Sequence, residues 1–294
     1  MFRRSRYPTL LIALTASAAC GDASPWDTED WRPDRPPQRI VAASVLATEV
    51  LLEIAPRECL AGVHELAADP RYSLVADRID GLALVGAAPE QLLAARPDLV
   101  IVDAFTRSET RALLRSADVP VVSTLAASDF AGIAENLRRI GSICHLEAPA
   151  EQLVQRMRTE LAGVRAAAAE FADWKICSLD GALHTYGQGS LFDAVVVATG
   201  ARNLAAAHGV GPYRKLDIET VLAWRPDAIV IGARADGEAG DRRWLEQYPG
   251  LSLLPCVARG RLLFVPGPLL GTTSHHLVDT ARFVQDGLRK WGRP

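Results

Sequence analysis

Glu90-Gln-Leu-Leu-Ala-Ala-Arg-Pro-Asp-Leu-Val-Ile101 and Glu219-Thr-Val-Leu-Ala-Trp-Arg-Pro-Asp-Ala-Ile-Val230 say nearly the same thing 129 residues apart. In each stretch a carboxylate opens an amphipathic helix, Arg-Pro-Asp stops it because proline cannot continue the hydrogen-bond ladder, and a β-branched run follows as a buried strand. A unit repeated at this distance implies two similar α/β lobes holding a ligand between them. The expected fold class is α/β: two lobes with mainly parallel central sheets, one long rigid connecting helix and a cleft between the lobes.

Composition fits that layout. The chain has 294 residues, 49% of them hydrophobic, enough for two cores. Its formal charge of −3 argues against nucleic acid as a partner, since phosphate binding needs a basic face.

Residues 1–19 read as an export signal: Arg3, Arg4 and Arg6 form a basic start, Leu10 to Leu14 an apolar centre, and Ser17-Ala-Ala-Cys20 a small-residue cleavage region. The apolar stretch is too short for a permanent membrane span. Cys20 stands where a lipoprotein receives its lipid, with Ser17 an unusual occupant of its position; ordinary cleavage and an uncleaved anchor are the alternatives. Lipidation would place the protein in the periplasm or on the outer face of a membrane, in contact with lipid through that anchor alone. Residues 20–38, rich in Pro and Asp, are expected to be a flexible tether. Without Cys20, Cys59, Cys144, Cys177 and Cys256 remain; they read as small buried hydrophobes, and Cys177 with Cys256 is the favoured pair should a disulfide form.

The N-terminal lobe is expected over 39–147, with strands at Arg39 to Ala43, Leu60 to Val63, Leu99 to Val102 and Val119 to Ser123, and a first helix at Thr48 to Ile54. Residues 148–173 form the connector. From Pro149 to Asp173 apolar residues recur at Leu153, Met157, Leu161, Val164, Ala168 and Phe171, the spacing of a helix roughly 37 Å long. An ordinary long surface helix within one domain is the competing reading. The C-terminal lobe, 174–294, restarts with a strand at Lys175 to Leu179 and a helix at Leu191 to Thr199, and closes with a helix from His275 to Trp291 capped by Ser274.

Export signal, tether, two lobes and the E-x-x-L-A-x-R-P-D motif in both together resemble the periplasmic binding proteins of ABC importers for iron–siderophore complexes, haem and cobalamin. The resemblance spans about residues 39 to 291 and includes Ala47-Thr-Glu49, Gly62-Val-His64, Gly187-Gln-Gly-Ser190 and Gly200-Ala-Arg-Asn203. Val45-Leu46 and Ala55-Pro56 depart from the usual Pro-Ser and glycine-containing turn. The resemblance implies that Glu90 and Glu219 dock against arginines of a membrane permease; the alternative is that they only complement the positive ends of their helices. It further implies a monomer carrying a metal chelate or corrinoid, with no cofactor beyond iron or cobalt in the cargo.

Cargo contacts belong to loops at the carboxyl ends of strands, which selects His64, Tyr72, Phe105, Tyr186, Arg234 and Trp244. Aromatics cover flat apolar faces, Arg234 suits a carboxylate or phosphate, and His64 or Tyr72 has the chemistry to ligate haem iron. Each aromatic has the alternative of partial burial in the core. His275-His276 reads as a surface or capping pair, since adjacent residues on a helix face different sides, and no resident metal site is expected. Enzyme motifs fail: His64-Glu-Leu-Ala-Ala68 lacks a second histidine, Gly187-Gln-Gly-Ser-Leu-Phe192 is neither a dinucleotide loop nor a nucleophile elbow, and no Walker motif exists. A secreted metal-dependent enzyme on a two-lobed frame remains the competing class.

Overall fold

The computed structural model describes residues 31–233 and 248–294. In the first lobe β1 (Ile40–Ala42), α1 (Val45–Ile54), β2 (Leu60–His64), β3 (Leu84–Val85), α2 (Pro89–Ala94), β4 (Leu99–Val102), α3 (Ser108–Ser116), β5 (Val121–Ser123) and α4 (Phe130–Ile143) follow one another. After α5 (Glu147–Ala166) come β6 (Lys175–Ser178), β7 (His184–Thr185), α6 (Leu191–Thr199), β8 (Arg202–Asn203), α7 (Leu204–Ala207), β9 (Arg214–Lys215), α8 (Ile218–Trp224), β10 (Ala228–Ala233) and β11 (Leu262–Pro266). The closing helix is Leu277–Trp291.

Two sheets result, and their orders correspond. The first runs β3-β2-β1-β4-β5, the second β11-β10-β6-β8, and every pairing in both is parallel. Reversing the second gives β8-β6-β10-β11, which matches β2-β1-β4-β5. The repeated units sit at equivalent places, α2–β4 and α8–β10. Their aspartates do the same work: Asp98 accepts hydrogen bonds from Gln38 N at 2.7 Å and Arg39 N at 3.0 Å, and Asp227 accepts one from Lys175 N at 3.0 Å. Each thereby fixes the start of the neighbouring strand in its own lobe.

α5 packs against α1 and α4 of the first lobe and against α6 and the closing helix of the second. Ala150, Leu153, Val154, Met157, Leu161 and Val164 form its buried stripe. They join a single apolar cluster that includes Ile40 and Ile101 of one sheet and Ile176 and Val230 of the other. The connector is shorter than its apolar periodicity suggests: the α-helix ends at Ala166, and Ala168–Phe171 form one 3₁₀ turn. The cause is tertiary. Gly200, in the left-handed conformation (φ 89°), ends α6 against the Ala168 carbonyl, where an added β-carbon would lie 2.1 Å from that oxygen.

Local chemistry moves other boundaries. α1 begins three residues before Thr48 because Ser44 Oγ accepts the Ala47 N–H at 3.1 Å. Residues 31–38 pack onto the lobe: Trp31 lies against the core cluster, Arg32 pairs with Glu147 at 2.9 Å, and His145 Nε2 lies 2.8 Å from the Pro33 carbonyl. Composition misled here, since prolines exclude regular structure but leave one aromatic and one cation free to dock. The expectation for 20–30, including Cys20, falls outside the described residues. The closing helix has His276 at its N-cap position; Ser274, two residues earlier, accepts the His276 N–H on its hydroxyl at 3.4 Å and the Leu277 N–H on its carbonyl at 3.1 Å, while the same hydroxyl donates to Glu49.

Candidate functional site

The loop after β2 reaches the loop after β11, where a β-carbon added to Gly267 would meet the Arg71 carbonyl at 3.2 Å. Nearby, Ser274 Oγ donates to Glu49 Oε2 at 2.6 Å.

On the first lobe, His64 and Phe105 line one pocket of about 540 Å³ together with Ala43, Pro89, Asp103 and Arg107. Asp103 Oδ1 accepts the Phe105 N–H at 2.9 Å and the Thr106 hydroxyl at 3.0 Å. That turn leaves the Phe105 ring 82% exposed. Tyr72, 52% exposed, carries the Arg71 guanidinium over its ring at 5.6 Å.

His64 Nδ1 accepts the Leu66 N–H at 3.2 Å, capping the short turn Glu65–Ala68. Burial pushes its pKa below the ordinary value although Glu65 and Asp103 pull the other way. A neutral imidazole whose Nδ1 accepts carries its proton on Nε2 and so offers a donor to the pocket. A metal-ligating histidine uses the opposite arrangement, donating its second ring N–H. His64 therefore suits hydrogen bonding to cargo better than ligation of iron.

On the second lobe Tyr186 belongs to an aromatic ledge that the sequence reading missed in part. The His184 ring stacks on Tyr213 with centroids 4.8 Å apart and planes at 15°, and Tyr186 lies 5.2 Å from Tyr213. Asp180 anchors the group, accepting the Ala182 and His184 N–H bonds at 2.8 and 2.9 Å, with His184 Nδ1 3.0 Å from its carboxylate. Burial raises the Asp180 pKa, but these donors overcome it and leave the net shift downward. Tyr213 is 54% exposed. Burial, with the Asp180 charge, raises the Tyr186 phenol above its usual value. β7 and β9, which position His184 and precede α8, have two residues each, too few to show periodicity. Arg234 and Trp244 lie outside the described residues.

Glu90 and Glu219 are both exposed, each as the second residue of its helix. Among the described residues neither has an ion-pair partner.

Family membership follows from this architecture and from direct comparison. Residues 40–269 match the periplasmic binding protein family. The chain belongs to that family. A cobalamin-binding protein of Halobacterium salinarum is 26% identical over 252 residues, 84% of this chain and 66% of that protein, so the chain spans slightly under two thirds of that relative's length. YvrC of Bacillus subtilis, an uncharacterised ABC transporter substrate-binding lipoprotein, is 22% identical over 83% of this chain and 77% of its own. A periplasmic haem-binding protein from Pseudomonas aeruginosa superposes with a TM-score of 0.73 at 27% identity, covering 88% of this chain and 95% of that one. Among the described residues of the binding protein, no helix is long and apolar enough to cross a membrane.

Cys177 and Cys256 are unbonded and buried in one apolar cluster, the small-hydrophobe reading rather than the alternative bridge. One expectation requires correction. His275 and His276 are not on a helix with diverging rings; they precede the closing helix, half-buried, with ring centroids 4.1 Å apart. They line a polar pocket of about 460 Å³ with Glu53, Arg156, Glu160 and Arg282. Among the described residues no group of three or more His, Cys, Asp or Glu is arranged to hold a metal ion.

Proposed function

We propose that this protein captures a corrinoid or an iron chelate between its lobes and delivers it to an ABC permease without chemistry of its own. The observation that carries the cargo class is the pairing of exposed aromatics on facing lobes, Phe105 and Tyr72 on one and Tyr213 beside Tyr186 on the other, with His64 already engaged through Nδ1. Such walls grip faces and edges of a ligand whose metal is coordinatively complete. The cobalamin-binding relative favours a corrinoid as the first choice. Haem is the second reading, favoured by the exposed phenol of Tyr72, which is free of the restraint placed on His64.

Calorimetry with cyanocobalamin, a ferric hydroxamate and hemin separates these. Saturable one-to-one binding of cyanocobalamin or the hydroxamate supports the proposal. Exclusive binding of hemin, with a charge-transfer band lost in Tyr72→Phe, replaces it with the haem reading, and turnover of any of the three overturns the binding role.

Glu90 and Glu219 are the docking residues in this reading, one per lobe, setting orientation on a basic partner rather than supplying much affinity. The protein is exported by the segment 1–19 and anchored through lipid on Cys20. Recovery of the wild type in membranes and of Cys20→Ser in the soluble fraction is the expected result; equal solubility of both points to simple cleavage.

A further inference from the structure

Glu49 lies in the Ala47-Thr-Glu49 motif, on the buried face of α1, and is 1% exposed. A carboxylate in such a place is costly unless its oxygens are satisfied. They are satisfied from both lobes. Oε1 accepts from Ser73 Oγ and from Leu74 N, each at 3.2 Å, and Oε2 accepts from Ser274 Oγ at 2.6 Å. Ser73 and Leu74 close the loop that bears Arg71 and Tyr72. Ser274 belongs to the loop after β11, where Thr272 Oγ1 sits 3.1 Å from its hydroxyl. All three hydroxyl-bearing residues are buried, so water does not compete for the carboxylate.

We propose that Glu49 is the positioning residue of the cargo site, one carboxylate shared between the halves that sets both the interlobe angle and the seat of the Tyr72 loop. The inference rests on the reading that cargo binds between the lobes. It explains why an acid stands among the buried Ala47, Val50 and Leu51 of α1: an apolar side chain there would strand two hydroxyls and one backbone N–H. It also separates two duties. The Ser274 bond holds the second lobe, and the Ser73 and Leu74 bonds hold the loop.

Ser274→Ala removes only the interlobe half, and Ser73→Ala only the loop half. For Ser274→Ala in the full chain without cargo, small-angle scattering is expected to show a larger radius of gyration than wild type, and stopped-flow with cyanocobalamin a roughly tenfold faster dissociation with little change in association. Ser73→Ala is expected to leave the scattering profile unchanged while weakening binding as Tyr72→Ala does. Glu49→Gln, which keeps the size and one acceptor, should fall between wild type and Ser274→Ala in scattering. A melting temperature lowered equally in all variants, with unchanged scattering, would reduce Glu49 to a purely structural group and overturn the proposal. The scattering arm needs no cargo, so failure of wild type to bind cyanocobalamin, hydroxamate or hemin refutes the proposed function and leaves the interlobe assignment decided by scattering.

Discussion

Arg96 and Arg225, in equivalent Arg-Pro-Asp turns, share a left-handed backbone with φ of 47° and 49°. The proline that follows each disfavours the right-handed region, and the chain must still turn sharply from helix into strand. A non-glycine residue here carries about 1–2 kcal/mol of strain, close to what glycine would lose through unfolded-state freedom. Arg225→Gly is therefore expected to stay within about 0.5 kcal/mol of wild type in urea unfolding, whereas Arg225→Val should cost roughly 1–2 kcal/mol. Equal unfolding midpoints for glycine and valine would show that the turn imposes no such constraint.

Glu90→Arg with Glu219→Arg tests docking. Both side chains are exposed and neither lies in a described pocket with His64 or Tyr186, so cargo affinity should remain within about twofold while transport through the permease is lost. The two singles should each reduce transport partly. A collapse of affinity in the double variant would move these acids from the partner surface to the cargo site.

His275 gives a pH dependence with a definite sign. Burial is the main cause, assisted by the His276 charge and Arg156 and opposed by Glu53 and Asp279, and it pushes the pKa down to about 4. The folded state then resists a proton that the unfolded chain accepts near 6.5, so stability falls as pH drops from about 6.5 toward 4, by roughly 3 kcal/mol in all. For His276, burial lowers the pKa but the Asp279 hydrogen bond and neighbouring carboxylates win, and the net shift is upward. Its contribution is complete below 6.5 and fades as pH rises. Glu53 and Asp279, both shifted down, lose theirs only at lower pH than about 4.5. His64, also shifted down by burial, acts in the same window, so the His275 share between pH 6.5 and 4.5 is the difference between wild type and His275→Phe, whose melting temperatures should fall less steeply.

Thiol chemistry should rank the four described cysteines. Burial drives Cys144 up to about 12 and Cys256 up to about 11, with Cys177 raised further, while Cys59 is only half-buried and less shifted. Iodoacetamide at pH 8 is expected to label Cys59 first and the others only on unfolding, as peptide mapping would show. Protection of Cys177 and Cys256 as a disulfide-linked peptide would instead establish a bridge.

The duplicated architecture was legible because Arg-Pro-Asp carries its own stop signal and its aspartate anchors a neighbouring strand. Helix α6 was equally plain, with Ser190 as cap and Gly200 as terminator. Features set by distant partners were not. The end of α5 depends on Gly200 meeting Ala168, the true role of Ser274 depends on Glu49, and Trp31 docks where composition foretells a loose tether. Likewise Tyr213 and His184 are brought together by the β7–β9 pairing and by Asp180, in a sheet too short to leave a pattern.

The stripe on α5 has an outcome for inheritance. Its leucines and valines are held in common by both halves, so a break at the turn before Glu147 would leave each fragment with a raw greasy wall. Such fragments are expected to aggregate singly and to reunite when co-expressed, and the intact chain should melt in one cooperative step. What began as a doubled unit is now indivisible.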